Sequence, residues 1–437
     1  MMTFRAAFPF ALTFALLASG CEAPSSTTTD VSSRALARTT PESVGMSSDR
    51  LTRLHDAMQG LVDDGRLAGI TTMIARHGQI ADFQTYGYRD IEADDPMAED
   101  DIFRIYSMSK PITGVALMML YEEGKFRLSD PVRRYIPQFA DLEVAASWGP
   151  NGPVLEDADH PMTIRELMTH TAGLAYGIGD PHPADRLYAS ERVLDRGQTL
   201  KDMIDKLARL PLRQQPGSRW TYSIAVDVQG YLVEVLSGQP FDEFLRERIF
   251  DPLGMVDTGF HVPSEDHGRF AQVYGYEENG ALVAPPSSDA PIGSRQFLDP
   301  ATLFSGGGGL VSTTMDYMRF CQMLLNGGEL DGVRLLSPTT VEMMSRNHLP
   351  RDMGEYAPGL GWGLDFSVVL DPVEAGGVSA GEYTWGGAAG TWFWIDPVQD
   401  LVFVGMIQQF GSGRPNIRSL SHRLTYGAIT ESAVPRR

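Results

Sequence analysis

The sequence predicts an α/β chain of the α+β type. One antiparallel sheet is built from both ends of the chain and flanked by helices, with a helical lobe inserted at roughly residues 130–300. Two observations carry this expectation. Strand-like segments bounded by turn residues occur early in the chain and again in its last quarter, and the long middle shows apolar residues at helical spacing. The 437 residues, 43% of them hydrophobic and 21% charged, supply enough apolar side chains for a large core.

The first element is not part of the fold. Arg5 is the only charge before an apolar stretch from Ala6 to Ala18, too short for a spanning helix and suited to the core of a signal peptide. It ends in Leu17-Ala18-Ser19-Gly20-Cys21, which resembles a bacterial lipoprotein signal. Residues 1–20 are therefore expected to be cleaved and Cys21 to carry lipid. Glu22 at the next position points to the outer membrane of the cell envelope. The Ser/Thr-rich residues 21–40 read as a flexible tether, and 41–437 as the folded domain.

Within that domain Ser48 is expected to cap a helix carrying Leu51, Leu54, Met58 and Leu61. Ile70–Ala75 and Ile80–Tyr86 read as a hairpin turning at His77-Gly78. The apolar run Ile112–Tyr121 reads as a buried helix ending at Gly124. Thr163-Ile164-Arg165-Glu166 is a capping box, and helices follow at about Leu200–Leu210, Val226–Leu236 and Phe241–Phe250. Thr313-Thr314-Met315-Asp316 opens another helix, and Gly306–Gly309 before it reads as a tight turn near a cleft. Gly361–Leu370, Glu382–Trp385, Thr391–Ile395 and Leu401–Gln408 are strand-like, and a last helix runs from about Ile417 to Ile429.

Charge and cysteine use exclude several functions. A formal net charge of −20 argues against nucleic-acid partners. With Cys21 lipidated, Cys321 has no partner for an intrachain disulfide and reads as core. The nine histidines show no metal-ligand spacing, so no metal or cofactor is expected. The membrane enters only through the N-terminal anchor.

The chemistry centres on Ser107-Met108-Ser109-Lys110. The chain has only four lysines, Lys110, Lys125, Lys201 and Lys206, and Lys110 alone follows a serine by three residues. A serine at a helix start beside an amine is a candidate nucleophile, although an N-cap serine with a surface lysine gives the same pattern. An unperturbed lysine is protonated at neutral pH, so a second proton-handling group is needed. Tyr222, in Trp220-Thr221-Tyr222-Ser223, is the candidate, because an ammonium beside a tyrosine favours its phenolate. A packed loop tyrosine is the alternative. Trp385-Gly386-Gly387 ends a predicted strand, where glycines admit a substrate and the next N–H, with that of Ser107, is placed to form an oxyanion hole.

Ser107-x-x-Lys110, Tyr222-Ser223-x and Trp385-Gly386-Gly387, in this order, resemble the serine β-lactamase-like superfamily (class C β-lactamase-like), and most closely the family VIII carboxylesterases. Leu167–Leu174, Gly308–Thr313 and Trp385–Pro397 are similar to family landmarks. The resemblance implies a β-lactamase/penicillin-binding transpeptidase-like fold, a Ser107 nucleophile, and acid–base work shared by Lys110 and Tyr222. It also implies an oxyanion hole from the N–H groups of Ser107 and Ala388. Two departures narrow the substrate. Trp385-Gly386-Gly387 replaces a Lys-Thr-Gly, and Ile224 stands where class C enzymes have asparagine. Both remove groups that hold a β-lactam, so a small carboxylic ester is the expected substrate, with Trp385, Gly386 and Gly387 lining its site. A D-amino-acid peptidase, a weak β-lactamase or an acyltransferase would use the same site, and a catalytically silent envelope-binding protein would keep the fold. Gly377-Val378-Ser379-Ala380-Gly381 matches the nucleophile-elbow pattern of another hydrolase class but lacks its strand–turn–helix context. His170 reads as loop scaffolding.

Overall fold

Eight strands hydrogen-bond into one sheet in which each neighbouring pair is antiparallel. The computed structural model describes residues 1–2, 36–179, 181–285, 296–350, 353 and 356–433. Three strands come from the early chain: β1 (Gly69–Arg76), β2 (Gln79–Asp90) and β3 (Asp95–Pro96). Five come from the last quarter: β4 (Leu360–Trp362), β5 (Ser367–Val369), β6 (Tyr383–Gly386), β7 (Trp392–Asp396) and β8 (Leu401–Met406). Their order is β4-β5-β6-β7-β8-β1-β2-β3. The two ends of the chain meet where β1 pairs with β8, in register from Thr71 opposite Met406 to Arg76 opposite Leu401. The expected sheet from both termini is the one that forms.

Both faces of the central strands are covered, so β1 is buried at all eight positions and its sequence does not alternate. On one face Ile70, Ile74, Trp394 and Phe403 pack with α1 (Ser48–Asp63) and with the C-terminal helix α5 (Ile417–Gly427). On the other, Met73, Phe393 and Val404 meet α2 (Ser109–Glu122) and α4 (Thr314–Leu325). Every residue of α2 from Ser109 to Leu120 is buried, as the apolar run implied. Beside it lies α3 (Ala225–Ser237) of the inserted lobe. His77 and Gly78 both take left-handed backbone (φ 52° and 72°), the geometry a two-residue β1–β2 turn requires. The Thr163 capping box forms with both reciprocal hydrogen bonds.

Several expectations need correction. The cap of α1 is Ser47, whose hydroxyl accepts from Arg50 N–H, and not Ser48. The folded body, Leu36–Arg437, begins before Pro41: Leu36 is buried, and the backbone of residues 37–39 hydrogen-bonds with Ile80. The segment 361–370 is not one strand, because Asp365 takes left-handed backbone (φ 66°) and divides it into β4 and β5. The lobe is not purely helical; Glu143–Gly149 and Gly152–Asp157 form a hairpin. The expected signal peptide, Cys21 and the expected tether up to residue 35 lie outside the described residues apart from Met1 and Met2.

Candidate active site

Ser107 sits in a single 3-10 turn, Tyr106–Met108, that leads directly into α2. The serine is therefore just ahead of the α-helix, not within its first turn. Tyr106 holds left-handed backbone (φ 42°), unfavourable for an aromatic residue, and so turns the chain sharply before the serine. Its ring is clasped edge-on by Phe297 and Phe410, at 5.7 and 5.5 Å between centroids.

Lys110 is fully buried, and its amine reaches three acceptors. Nζ lies 3.4 Å from Ser107 Oγ, 3.0 Å from Tyr176 Oη and 2.6 Å from Gly307 O. It also stands 4.5 Å from the centroid of the Tyr222 ring and 5.1 Å from that of Tyr176. Burial works against the charge, but Tyr176, Tyr222 and Asp227 outweigh it and hold the ammonium well above the usual lysine range. The same burial raises the Tyr176 phenol, so Tyr176 meets Lys110 as a neutral acceptor.

Tyr222 comes to this point on the loop before α3. The amine faces its ring, and the Tyr222 hydroxyl is buried with no hydrogen-bond partner among the described residues. Around it stand Trp385 at 5.5 Å, Tyr176 at 5.3 Å and Trp220 at 6.2 Å, centroid to centroid. Trp362 and Tyr356 extend this aromatic wall. A buried hydroxyl without a partner beside an ammonium is the kind of group that active sites retain.

Trp385 and Gly386 end β6, and Gly387 follows. A Cβ on Gly387 would lie 2.4 Å from Ile105 O, so only glycine lets this edge close on the segment carrying Ser107. The N–H of Gly387 donates to Thr391 O at 2.7 Å, and the Thr391 hydroxyl reaches Ile105 O. Ala388, at the exposed tip of that turn, has no partner for its N–H among the described residues. The structure thus brings together Ser107, Lys110, Tyr222 and the Trp385–Gly387 edge.

The other singled-out residues lie elsewhere or play supporting parts. Ser379 is buried in the loop between β5 and β6, preceded by the short helix Pro372–Ala375 and followed by a strand, so it has no nucleophile elbow. His170 is buried, and its Nδ1 pairs with Ser223 Oγ at 3.1 Å. Burial and nearby Lys110 hold its imidazole well below the ordinary range, a neutral scaffold. Cys321 is a buried free thiol, pushed up by burial. The sequence reading missed Tyr176, Asp227 and Asp365. Tyr176 follows the Leu167–Leu174 landmark by two residues, which is the one signal that pointed to it.

The sequence model of the family described as Beta-lactamase matches residues 54–425. The chain belongs to the Beta-lactamase family. Among its relatives is Protein Rv1367c of Mycobacterium tuberculosis, 38% identical over 371 residues, which covers 80% of this chain and 88% of that protein. Esterase EstB of Burkholderia gladioli is 34% identical over 359 residues, covering 78% and 86%. Among solved structures, EstCE1, described as a hydrolase with promiscuous acyltransferase activity, superposes with a TM-score of 0.74 at 27% identity, covering 87% of this chain and 98% of that one. These likenesses agree with the resemblance read from the motifs. The chain is a Beta-lactamase family hydrolase of β-lactamase/penicillin-binding-protein fold.

Proposed function

We propose that this Beta-lactamase family hydrolase is a carboxylesterase acting through an acyl-enzyme on Ser107. The observation that carries the reading is the bonding of Lys110. Its three N–H groups match three acceptors, Ser107 Oγ, Tyr176 Oη and Gly307 O, so the amine is a donor and not the base. Tyr222, with its oxygen unbonded beside that ammonium, is left to receive the serine's proton.

In the acylation step Ser107 Oγ attacks the ester carbonyl and its proton passes to the Tyr222 oxygen, which takes part as the phenolate. The oxyanion forms between the N–H groups of Ser107 and Ala388. Collapse breaks the C–O bond, and the leaving alcohol takes the proton back from Tyr222. Water repeats the sequence on the acyl-serine and releases the acid. The aromatic wall of Tyr222, Trp385 and Trp220 supplies apolar area for the ester's hydrocarbon part. Trp385 and Ile224, where β-lactam-binding relatives place a cation and an amide, support esters over β-lactams, and the likeness to EstB points the same way. An alcohol in place of water would give acyl transfer, in line with the description of EstCE1.

The test is kcat/KM on p-nitrophenyl butyrate against nitrocefin. Two missing polar contacts, each about 1.5–3 kcal/mol, should leave nitrocefin at least about 10²-fold poorer. Faster nitrocefin turnover would overturn the substrate reading. We further propose that Cys21 anchors the protein to the cell envelope through lipid, and a Cys21→Ser protein that stays fully membrane-bound would contradict this.

A further inference from the structure

We propose that Asp227 is the fixed counter-charge of Lys110, holding the amine charged and in place through the Gly306–Gly309 turn. This rests on the reading of Lys110 as a working group of the site, and makes Asp227 a positioning residue that touches no substrate.

The turn is bound on two sides. Toward α2, Gly307 O accepts from Lys110 at 2.6 Å, Gly306 O accepts from Thr113 Oγ1 at 2.9 Å, and Leu310 N donates to Ser109 Oγ at 3.1 Å. Toward α3, Asp227 Oδ1 accepts from the Ser305 hydroxyl and from Gly307 N–H at 3.2 Å. The same Gly307 thus presents its N–H to the carboxylate and its carbonyl to the ammonium, and the two charges are linked through one residue. The glycines are required by this packing: a Cβ on Gly307 would lie 2.4 Å from Asp227 Oδ2, and one on Gly306 would lie 2.7 Å from Val226 O. The glycine turn is therefore a saddle between a buried carboxyl and a buried ammonium.

Asp227 is fully buried with Oδ2 unpartnered among the described residues, and is paired with no arginine or other lysine. A buried carboxylate that lacks a direct cation is costly unless a nearby charge compensates it. Lys110 is that charge. The other titratable groups facing Lys110 are Tyr176, Tyr222, His170 and Asp365. His170 and Tyr176 are neutral, and Tyr222, which gains and loses the serine's proton in each turnover, is not a constant counter-charge. Asp365, on the β4–β5 turn, is held by Gln229 at 3.1 Å and pushed well above the ordinary carboxylate range by burial, which favours its neutral form. Burial raises the Asp227 carboxyl as well, but Lys110, the Ser305 hydroxyl and the Gly307 N–H all work against that rise, so Asp227 is the acid whose charge its surroundings support.

Only four lysines are present, so Lys110 can be followed directly by lysine-selective ¹³Cε NMR, without any substrate. Its resonance is the one absent from Lys110→Met. In wild type it should stay in the ammonium form through about pH 10, and in Asp227→Asn, which keeps the Oδ1 acceptor, it should titrate at least about one pH unit lower. The alkaline limb of ester hydrolysis should move down by the same interval, with kcat falling more than KM changes. Unaltered titration of Lys110 in Asp227→Asn would overturn the proposal even if activity fell. If that variant does not fold, wild type still decides. The Asp227 ¹³Cγ signal, identified by its displacement in Ser305→Ala, should be that of a carboxylate at about pH 7, and a carboxylic acid there would overturn it. Loss of the esterase reading would appear separately, as absent turnover with the Lys110 titration intact.

Discussion

Lys110 Nζ faces the ring of Tyr222, 4.5 Å from its centroid, while donating its short hydrogen bonds to Gly307 and Tyr176. The two residues are thus joined by charge and ring, with the Tyr222 oxygen close enough to help hold the ammonium charged but outside hydrogen-bond geometry. In the proposed mechanism the amine is a fixed positive neighbour, and the Tyr222 oxygen, acting as the phenolate, takes the serine's proton.

Tyr222→Phe should therefore remove chemistry without removing structure. The hydroxyl has no protein partner to lose, and the ring contacts with Trp385, Trp220 and Tyr176 remain. A fall in kcat of about 10²–10⁴ is expected from losing the proton carrier. The melting temperature should stay within a few degrees. Steady-state rates with a thermal melt check both, and a variant that retains wild-type kcat would reject Tyr222 as that group.

Tyr176→Phe should show the opposite balance. It takes an acceptor at 3.0 Å from a buried ammonium, and a lost partner of that kind costs about 1–3 kcal/mol in stability. Activity should fall less than in Tyr222→Phe, because no proton passes through Tyr176. Urea unfolding and kcat, measured on the same preparation, separate the two roles.

Asp316 predicts a pH dependence away from the site. Burial pushes its carboxyl up to about 7 from the ordinary 3.8, although it accepts from Asp257 N–H at 2.8 Å and Thr258 Oγ1 at 2.9 Å. A raised folded value means that the fold prefers the protonated acid. Its contribution is intact below about pH 4 and is lost as pH rises toward 7. Above that the buried carboxylate costs at most about 4 kcal/mol. Asp316→Asn should thus gain stability relative to wild type between about pH 5 and pH 8, read as the difference in melting temperature. A difference that does not change with pH would refute the assignment.

The parts of the site legible in the sequence were those written locally. Ser107 and Lys110 are one turn apart, and Tyr222 and Trp385-Gly386-Gly387 follow as short ordered motifs with turn chemistry around them. What stayed hidden depends on tertiary approach. Tyr176 meets Lys110 across 66 residues and Gly307 across 197, and neither carries a spacing that sequence periodicity detects. Asp227 reads as an ordinary first-turn acid of α3, and only the packing of the glycine turn gives it a cation to serve. The sheet was legible because its strands carry β-branched and aromatic residues between clear turns. The break at Asp365 was not, since an inward-turned aspartate between Leu364 and Phe366 leaves the apolar pattern intact. Likewise, residues 36–40 have the composition of a linker, but Leu36 finds a place in the core once β2 exists to pair with the backbone beside it.

The central claim, that Ser107 is the nucleophile, is tested most directly by labelling with a fluorophosphonate probe. Wild type, Ser107→Ala and Ser379→Ala would be compared, with the modified peptide read by mass spectrometry. The account predicts a single adduct on Ser107 in wild type and in Ser379→Ala, and none in Ser107→Ala. Labelling that persists in Ser107→Ala and disappears in Ser379→Ala would contradict it.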